Sequence, residues 1–396
     1  MKFNQWTLGL AAAGVVSLGA VAQAEEAKST VQTALSHTVL SGYVNTALHW
    51  NPGNVDSQAL YAFSKDAFGG TKDDGFNLNV IDITLEKPLD EGQWSAGYKA
   101  ELWVGPDAAT LGTDTYYGTS GGNFAIRNAY VSLRTPIGNG IDWKIGVWDT
   151  IIGYETQNAG ENPNYTRSWG HTIEPTQHTG ILGSYKAADW LSIAAGVANT
   201  TDARINGRVG TSKGDQTVKT YMGSVALTAP ESFGSLKGAT LYAGIVEGQP
   251  SGGAIPDRTW IYVGATVPTP LKGLTTGVAW DHLNLDGPAS GAGGTHDTDV
   301  FAAYLSYQAT EKLKVNGRLE YIYWGDVAGL SSAGPTPYTP GDEFLGVTVT
   351  ADYALWANVI SRVEYRWDHD LGRNGGGHFS EGNNEHLLAL NVIYKF

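Results

Sequence analysis

The last stretch of the chain, His386 to Phe396, limits the possible folds more than any other segment. Its even-numbered positions from Leu388 onward are all apolar or aromatic, whereas the polar residues Asn391 and Lys395 stand at odd positions. Alternation with a period of two predicts a β-strand with one apolar face and one wetter face. No residue follows this strand, so an earlier strand must cover its free edge. We expect the first strand, near Leu40 to Trp50, to be that partner, and this pairing closes a barrel.

The start of the chain predicts a secretion signal over residues 1–24. Lys2 supplies a positive start, Leu8 to Val21 is an apolar run, and Ala22-Gln23-Ala24 has the spacing of a cleavage site. We expect residues 25–36 to form a short periplasmic lead-in and residues 37–396 to form a transmembrane β-barrel.

Composition excludes several classes of protein. Beyond Ala24 no run approaches the roughly 18 apolar residues of a spanning helix, although 42% of residues are hydrophobic. There is no cysteine and hence no disulfide framework. Removal of Lys2 with the signal leaves 24 basic and 39 acidic residues, a net charge of −15 that argues against nucleic-acid binding.

Alternating segments continue along the chain and predict about sixteen strands, an even number. Short turns such as Pro136 to Gly140 alternate with long loops, and aromatic residues collect near strand ends, as in an interfacial girdle. A break of parity near Val80-Ile81 predicts a bulge. The eleventh and twelfth strands are predicted over Leu274 to Leu283 and Val300 to Gln308, with a glycine-rich loop between them. The predicted fold class is all-β, a transmembrane antiparallel β-barrel with short periplasmic turns and long extracellular loops.

Four stretches resemble the OmpL-like outer-membrane β-barrel porin family: Phe76 to Pro88, Asn128 to Gly153, Gly170 to Gly180 and the C-terminal strand. The resemblance implies passive diffusion of ions and small hydrophilic solutes through a water-filled channel in the bacterial outer membrane. General porins of sixteen strands are usually homotrimers with the third long loop folded into the pore. Asp149 to Pro175 matches that loop in position and length, whereas trimerisation leaves no sign in the sequence.

The inward faces of the predicted strands carry charges that would be costly in lipid. Such charges form either a wall that orders water and selects ions or ion pairs that only stabilise the barrel. Arg362, Glu364 and Arg366 lie at period two on one face, so neighbours of opposite charge can pair. The predicted pore-lining residues are Lys99, Glu101, Arg134, Lys144, Arg318, Glu320, Arg362, Glu364 and Arg366.

The third long loop is predicted to form the constriction, and its charged residues are Glu155, Glu161, Arg167 and Glu174. An acidic loop opposite a basic wall at Arg318 and Arg362 would create a transverse field at the narrowest point. Solvated loop charge is the alternative interpretation.

No metal or cofactor is expected. His171, Glu174 and His178 lie in or beside a loop and lack the spacing of ligands on a helix face. Two acidic pairs suit either calcium near lipopolysaccharide or solvated loop ends; they are Asp297 with Asp299, and Asp368 with Asp370. The expected partners are outer-membrane lipid and the permeating solutes, with no nucleic acid.

Two other functions compete with the porin interpretation. An outer-membrane barrel enzyme, a lipase or a protease, needs a nucleophile beside a base, and His282, His296 and His369 have no evident serine partner in the sequence. The other is a soluble secreted β-protein that binds glycans. We therefore expect a channel and no enzyme.

Overall fold

A computed structural model describes residues 30–33, 36–52, 74–113, 122–252, 257–289, 292–325, 342–372 and 383–396. Its strands form one antiparallel sheet of seventeen members. The short strand β1, Thr30–Thr33, pairs with the beginning of β2. The other sixteen strands pair in chain order, and the last pairs with β2, so they form a closed barrel.

The sixteen barrel strands are β2 Ser36–Trp50, β3 Gly75–Lys87, β4 Ser95–Val104, β5 Phe124–Thr135, β6 Ile141–Asp149, β7 Gln177–Ala188, β8 Leu191–Ala198, β9 Thr220–Thr228, β10 Thr240–Gly248, β11 Asp257–Pro268, β12 Leu274–Ala289, β13 Ala292–Gln308, β14 Leu313–Trp324, β15 Asp342–Tyr353, β16 Val359–Asp370 and β17 Asn384–Lys395. The described parts of the connections contain one α-helix, α1 (Trp169–Ile173), and short 3-10 helices at Pro106–Leu111, Ala159–Glu161, Asp215–Thr217 and Glu231–Leu236. Within the described ranges, no helix has both the length and the apolar character needed to cross a membrane.

The predicted closure between the last and the first strand is confirmed. Leu390 lies opposite Leu48 and Tyr394 opposite Val44 in an antiparallel register. The terminal residue takes part, because Gly42 and Phe396 exchange two backbone hydrogen bonds of 3.0 Å each. Closure leaves no barrel strand with an unpaired edge, which is what a sheet in an apolar solvent requires.

The outer surface of the barrel is apolar along the strands and aromatic at both ends. Val363 and Leu390 are outward and about half exposed, while Arg362 and Asn391 beside them are buried inside. The turns carry exposed large apolar side chains at Trp94, Ile137, Trp190, Phe233, Leu271 and Trp356. Strand parity therefore gives an apolar outer face and turns the polar residues of β16 and β17 inward, as predicted.

Two bulges alter this parity near the loop ends of the strands. Asn45 pairs with Val80 but Thr46 pairs with Leu78, so Asn79 is the extra residue, next to the predicted break. A second bulge was not predicted. Glu101 pairs with Asn128 and Leu102 with Ile126, which leaves Arg127 as the extra residue. This bulge turns both Arg127 and Asn128 toward the lumen.

The predicted boundaries of the eleventh and twelfth strands were wrong. β12 and β13 continue through the glycine-rich segment and stay paired from Leu274–Tyr307 to Ala289–Ala292. Glycine weakens a strand but does not prevent pairing when a neighbouring strand supplies the hydrogen bonds. The two strands form a hairpin longer than the roughly 9–11 residues that span a membrane. The sequence also predicts long loops over Asn51 to Gly75, Gly325 to Gly341 and Gly372 to Asn384, and most residues of these loops lie outside the described residues.

Candidate functional site in the barrel lumen

The third long connection, Thr150 to Thr176, folds into the lumen; we call it L3. Its two ends are joined by a hydrogen bond of 2.9 Å from the Thr150 amide to the Thr176 carbonyl oxygen. Between them the chain passes through the 3-10 helix Ala159–Glu161 and the helix α1. Most of its side chains are buried, and Thr172 is its one exposed residue. L3 therefore packs against the barrel wall and does not stand free in water.

One half of the contact is apolar. Ile151, Ile152, Trp169 and Ile173 of L3 share a buried cluster with the inward side chains of β9 to β15. The wall members of this cluster include Met222, Tyr242, Val246, Trp260, Tyr262, Leu283, Leu285, Val300, Tyr304, Ile322, Trp324 and Phe344. An apolar surface of this size is unfavourable in contact with water. The wall is apolar here because L3 covers it.

Two wall glycines make room for L3. A Cβ added at Gly277 would lie 2.0 Å from the hydroxyl oxygen of Tyr154, and one at Gly244 would lie 2.7 Å from Cγ2 of Ile152. The Tyr154 ring stacks on Tyr304 with a centroid separation of 4.0 Å. A larger side chain at either glycine would displace the side chain of L3 that it faces.

The other half of the contact is charged, and it holds the loop by its backbone. Arg362 of β16 donates to the carbonyl oxygens of Ala159, at 2.8 Å, and Asn162, at 2.7 Å. Arg318 of β14 donates to the carbonyl oxygen of Thr166 at 2.8 Å. Arg318 at 3.1 Å and Arg366 at 2.7 Å both donate to the carbonyl oxygen of Arg167.

Wall carboxylates complete this arrangement by accepting from loop amides. Glu364 accepts from the amides of Tyr165, at 2.5 Å, and Thr166, at 2.9 Å. Glu320 accepts from the Trp169 amide at 2.6 Å. Cations and anions that alternate along β14 and β16 thus meet carbonyl and amide groups of the loop. The contact satisfies backbone groups that would otherwise be buried without partners.

Sequence reasoning predicted loop carboxylates opposite Arg318 and Arg362, and the structure brings one such pair together. Glu155 lies 2.8 Å from Arg318, and neither side chain is exposed to solvent. Arg362 pairs instead with Asp352 of β15 at 2.9 Å. Burial raises the pKa of Glu161, against the lowering effect of Arg127 and other nearby cations.

A second charge network lies between β4 and β6. Arg127 forms ion pairs with Glu101 at 2.5 Å and with Asp149 at 2.8 Å. Lys99 also pairs with Glu101, at 2.7 Å. Arg127 was missed because parity alone would turn it outward. A positive residue on an apparent lipid face was the signal that could have revealed the bulge.

The remaining predicted wall residues lie nearer the turns, on β5 and β6. Arg134 pairs with Asp142 at 2.7 Å. The Lys144 ammonium stands over the ring of Tyr130, 4.9 Å from its centroid.

Burial and neighbouring charges shift the pKa values of several titratable side chains of L3. Burial, opposed by Glu155, lowers the pKa of Arg167 to about 10. Burial and then Arg167 lower the pKa of His171 to about 3. Burial favours the neutral form of Glu155, but Arg318 and Arg167 outweigh it and hold the pKa of this carboxyl below its usual range.

Glu174 has the opposite environment from Glu155. It is hydrogen-bonded to Asp281 of β12, and burial followed by the Asp281 charge raises the pKa of Glu174 well above its usual range. Two carboxyl groups can share a hydrogen bond only if one of them keeps a proton. A Cβ at Gly153 would lie 2.3 Å from a Glu174 carboxyl oxygen, so the loop backbone closes tightly over this pair.

The histidine and acidic residues considered as metal ligands have other partners. His178 Nε2 lies 3.1 Å from the Thr150 hydroxyl, and Glu174 is bonded to Asp281. Asp299 accepts from His282 at 3.0 Å, and Asp368 pairs with Arg366 at 2.7 Å. In the part of the chain that the structure describes, no group of three or more His, Cys, Asp or Glu residues is arranged to hold a metal ion.

Comparison with known proteins places this lumen in context. The family described as "Putative beta-barrel porin-2, OmpL-like" matches residues 38–396. No curated protein sequence matches the chain significantly. An anion-selective porin from Comamonas acidovorans is similar in structure, with a TM-score of 0.57, 15% identity, and coverage of 91% of this chain and 99% of that one.

Two further solved structures have similar scores. The outer membrane channel DcaP of Acinetobacter baumannii matches with a TM-score of 0.58 and 12% identity over 93% of this chain and 99% of its own. OmpT of Vibrio cholerae, in a trimer form, matches with a TM-score of 0.56 and 12% identity over 91% of this chain and 99% of its own. At these identities the likeness concerns the fold, a closed barrel.

Proposed function

Because the chain belongs to the OmpL-like beta-barrel porin-2 family, and is therefore a porin of the bacterial outer membrane, we propose that L3 sets the width of its channel. On this proposal the protein is a passive diffusion channel for ions and small hydrophilic solutes. One observation carries the proposal: the charges of β14 and β16 bind the backbone of L3 inside the lumen.

The contacts indicate a fixed constriction and not a mobile lid. Each hydrogen bond to a charged group contributes about 1.5–3 kcal/mol to stability. The backbone of L3 forms several such bonds with the barrel wall. Burial of a side chain such as Ile152 or Ile173 adds about 1.5–3 kcal/mol each. Detachment of the whole loop would also expose the apolar wall that it covers to water. Solutes therefore pass beside L3 while it stays attached.

The paired charges support weak ion selectivity. Arg318 pairs with Glu155 and Glu320, Arg362 with Asp352, and Arg366 with Asp368. A paired charge exerts a smaller field on a passing ion than a free one. These pairs favour the interpretation in which the wall charges stabilise the barrel and its loop, and they leave less net charge to select ions.

The proposal includes a channel without enzymatic activity. His282 and His369, two candidate bases of the competing enzyme interpretation, face outward and bind Asp299 and Asn384 respectively. Neither contact provides the serine nucleophile that a lipase or protease needs. The side chain of His296 lies outside the described residues.

We further propose a homotrimer. The support is the fold shared with OmpT, for which a trimer form is known. Mass measurement of the protein in detergent tests this directly, since a monomeric mass would contradict it.

Single-channel recording in a planar lipid bilayer tests the function. The purified full-length protein should produce discrete, lasting conductance steps that are nearly ohmic at low voltage. Heat-denatured protein is the control. Correctly folded protein that produces no steps would refute the channel.

A further inference from the structure

The tripeptide Trp-Asp-His occurs twice in the chain, at residues 280–282 on β12 and at 367–369 on β16. Strand alternation turns the Trp and His of each copy outward and the Asp into the lumen. Asp281 is 4% exposed and Asp368 is 1% exposed, so both carboxyl groups are fully inside the barrel.

The outward halves of the two copies have the same geometry. In the first copy, Trp280 Nε1 donates to Asp299 Oδ1 at 2.9 Å, and His282 Nδ1 lies 3.0 Å from the same oxygen. In the second copy, Trp367 Nε1 donates to Asn384 Oδ1 at 2.9 Å, and His369 Nδ1 again lies 2.9 Å from it.

Both acceptors occupy the same place relative to their motif. Asp299 lies directly opposite His282 on β13, and Asn384 lies directly opposite His369 on β17. Indole and imidazole rings lie 5.7 Å apart in the first copy and 5.4 Å apart in the second. Each copy thus fastens its strand to the next one along the chain.

The inward halves converge on one element, helix α1 of L3. Asp368 Oδ1 accepts from Trp169 Nε1 at 3.2 Å, at the start of the helix. Asp281 lies against Gly170, where an added Cβ would come within 2.3 Å of its Oδ2. Asp281 is also hydrogen-bonded to Glu174, which caps the end of the helix.

We propose that the two Trp-Asp-His tripeptides are positioning sites for L3. On each of two strands, the hydrogen bonds of the outward Trp and His fix the register to the neighbouring strand. The backbone of the tripeptide is thereby fixed in position, and the inward Asp then contacts α1 from a fixed position and holds the helix in place. The inference rests on the proposed function, because it explains how the constriction is held in place. An aromatic girdle would account for the outward Trp residues. It would not require the Trp and His of each copy to share one hydrogen-bond acceptor, nor the Asp between them to contact α1.

Hydrogen exchange of α1 amides tests the proposal in the full-length protein in detergent micelles. His369→Phe keeps an aromatic side chain on the outer surface but removes the bond to Asn384. Exchange of the peptide from Ser168 to Glu174 should become about fivefold faster, which corresponds to one net hydrogen bond of about 1 kcal/mol. His282→Phe in the first copy should have the same effect.

Trp143→Phe is the matched control. Trp143 is an outward tryptophan whose Nε1 donates to Thr135 at 3.0 Å on the neighbouring strand. Its inward neighbours are Asp142, which pairs with Arg134, and Lys144, which stands over the ring of Tyr130. Its substitution should leave α1 exchange unchanged, and strand amides of β14 should stay protected in every variant. Unchanged α1 exchange in both histidine variants, or equal acceleration in Trp143→Phe, would overturn the proposal. Hydrogen exchange does not depend on whether the barrel conducts ions. Absent conductance steps would therefore refute the proposed channel, but they would not affect the result on the two tripeptides.

Discussion

Reversing the charge of Arg362 should both widen the channel and change its ion preference. Arg362 donates to the carbonyl oxygens of Ala159 and Asn162 at the tip of L3, and it pairs with Asp352 beside them. In Arg362→Glu a carboxylate would face two carbonyl oxygens and another carboxylate. We expect the tip of L3 to leave the wall while the rest of the loop stays attached.

The contacts that Arg362→Glu removes give the size of the effect on the attachment of the L3 tip to the wall. Two hydrogen bonds to a charged group contribute about 3 kcal/mol at the low end of their range, and this lowers the docking equilibrium of the tip about 150-fold. Repulsion from Asp352 adds to the loss. The wall also changes by two charge units beside the permeation path, which favours cations.

Single-channel conductance and the reversal potential in a KCl gradient measure the two effects separately. Arg362→Glu should raise conductance and shift the reversal potential toward cation selectivity. The shift should be larger at low salt, because screening acts over about 8 Å at physiological ionic strength. Arg134→Glu is the control, since Arg134 pairs with Asp142 of β6. If Arg362→Glu changes neither quantity, or changes both no more than the control does, the reasoning fails.

Three further outcomes are expected. Deletion of Leu388 to Phe396 should abolish the heat-dependent shift of the folded barrel on SDS gels, and a retained shift would contradict closure by β17. Gly277→Ala should displace Tyr154 and raise conductance, whereas Gly317→Ala, with no atom near its added Cβ, should not; equal conductance in the two variants would disprove the contact. The pKa of Glu174 is raised in the folded state. The contribution of Glu174 to the stability of the folded state is therefore complete below its unfolded pKa and is lost as pH rises through its folded pKa. The protection factors of L3 amides, which are corrected for the base-catalysed intrinsic rate of exchange, should therefore fall in the natural protein as pH rises through that folded pKa, and they should be independent of pH in Glu174→Gln; a pH dependence of the protection factors that persists would show that another group titrates.

Strand parity made much of the barrel predictable. Leu319 and Val363 are apolar and outward, so Arg318 and Arg362 had to face the lumen. The alternation of the last strand likewise predicted its pairing with the first. These features depend on a period of two, which a sequence records directly.

The partners of the lumen charges were less predictable. Glu364 and Glu320 bind backbone amides of L3, and no side-chain pattern encodes which backbone group a carboxylate will meet. Arg127 faces inward only because a bulge shifts its strand. The hairpin of β12 and β13 continues through glycine because tertiary pairing outweighs the local preference.

The central claim is that L3 lies in the permeation path and limits it. Deletion of Thr156 to Asn164 removes nine residues that include the tip held by Arg362, and deletion of residues 205–213 removes nine from another loop as a control. Both variants should first show the heat-dependent gel shift of a folded barrel. Single-channel conductance should then rise in the L3 deletion and stay near that of the natural protein in the control. Unchanged conductance in a folded L3 deletion would contradict the claim.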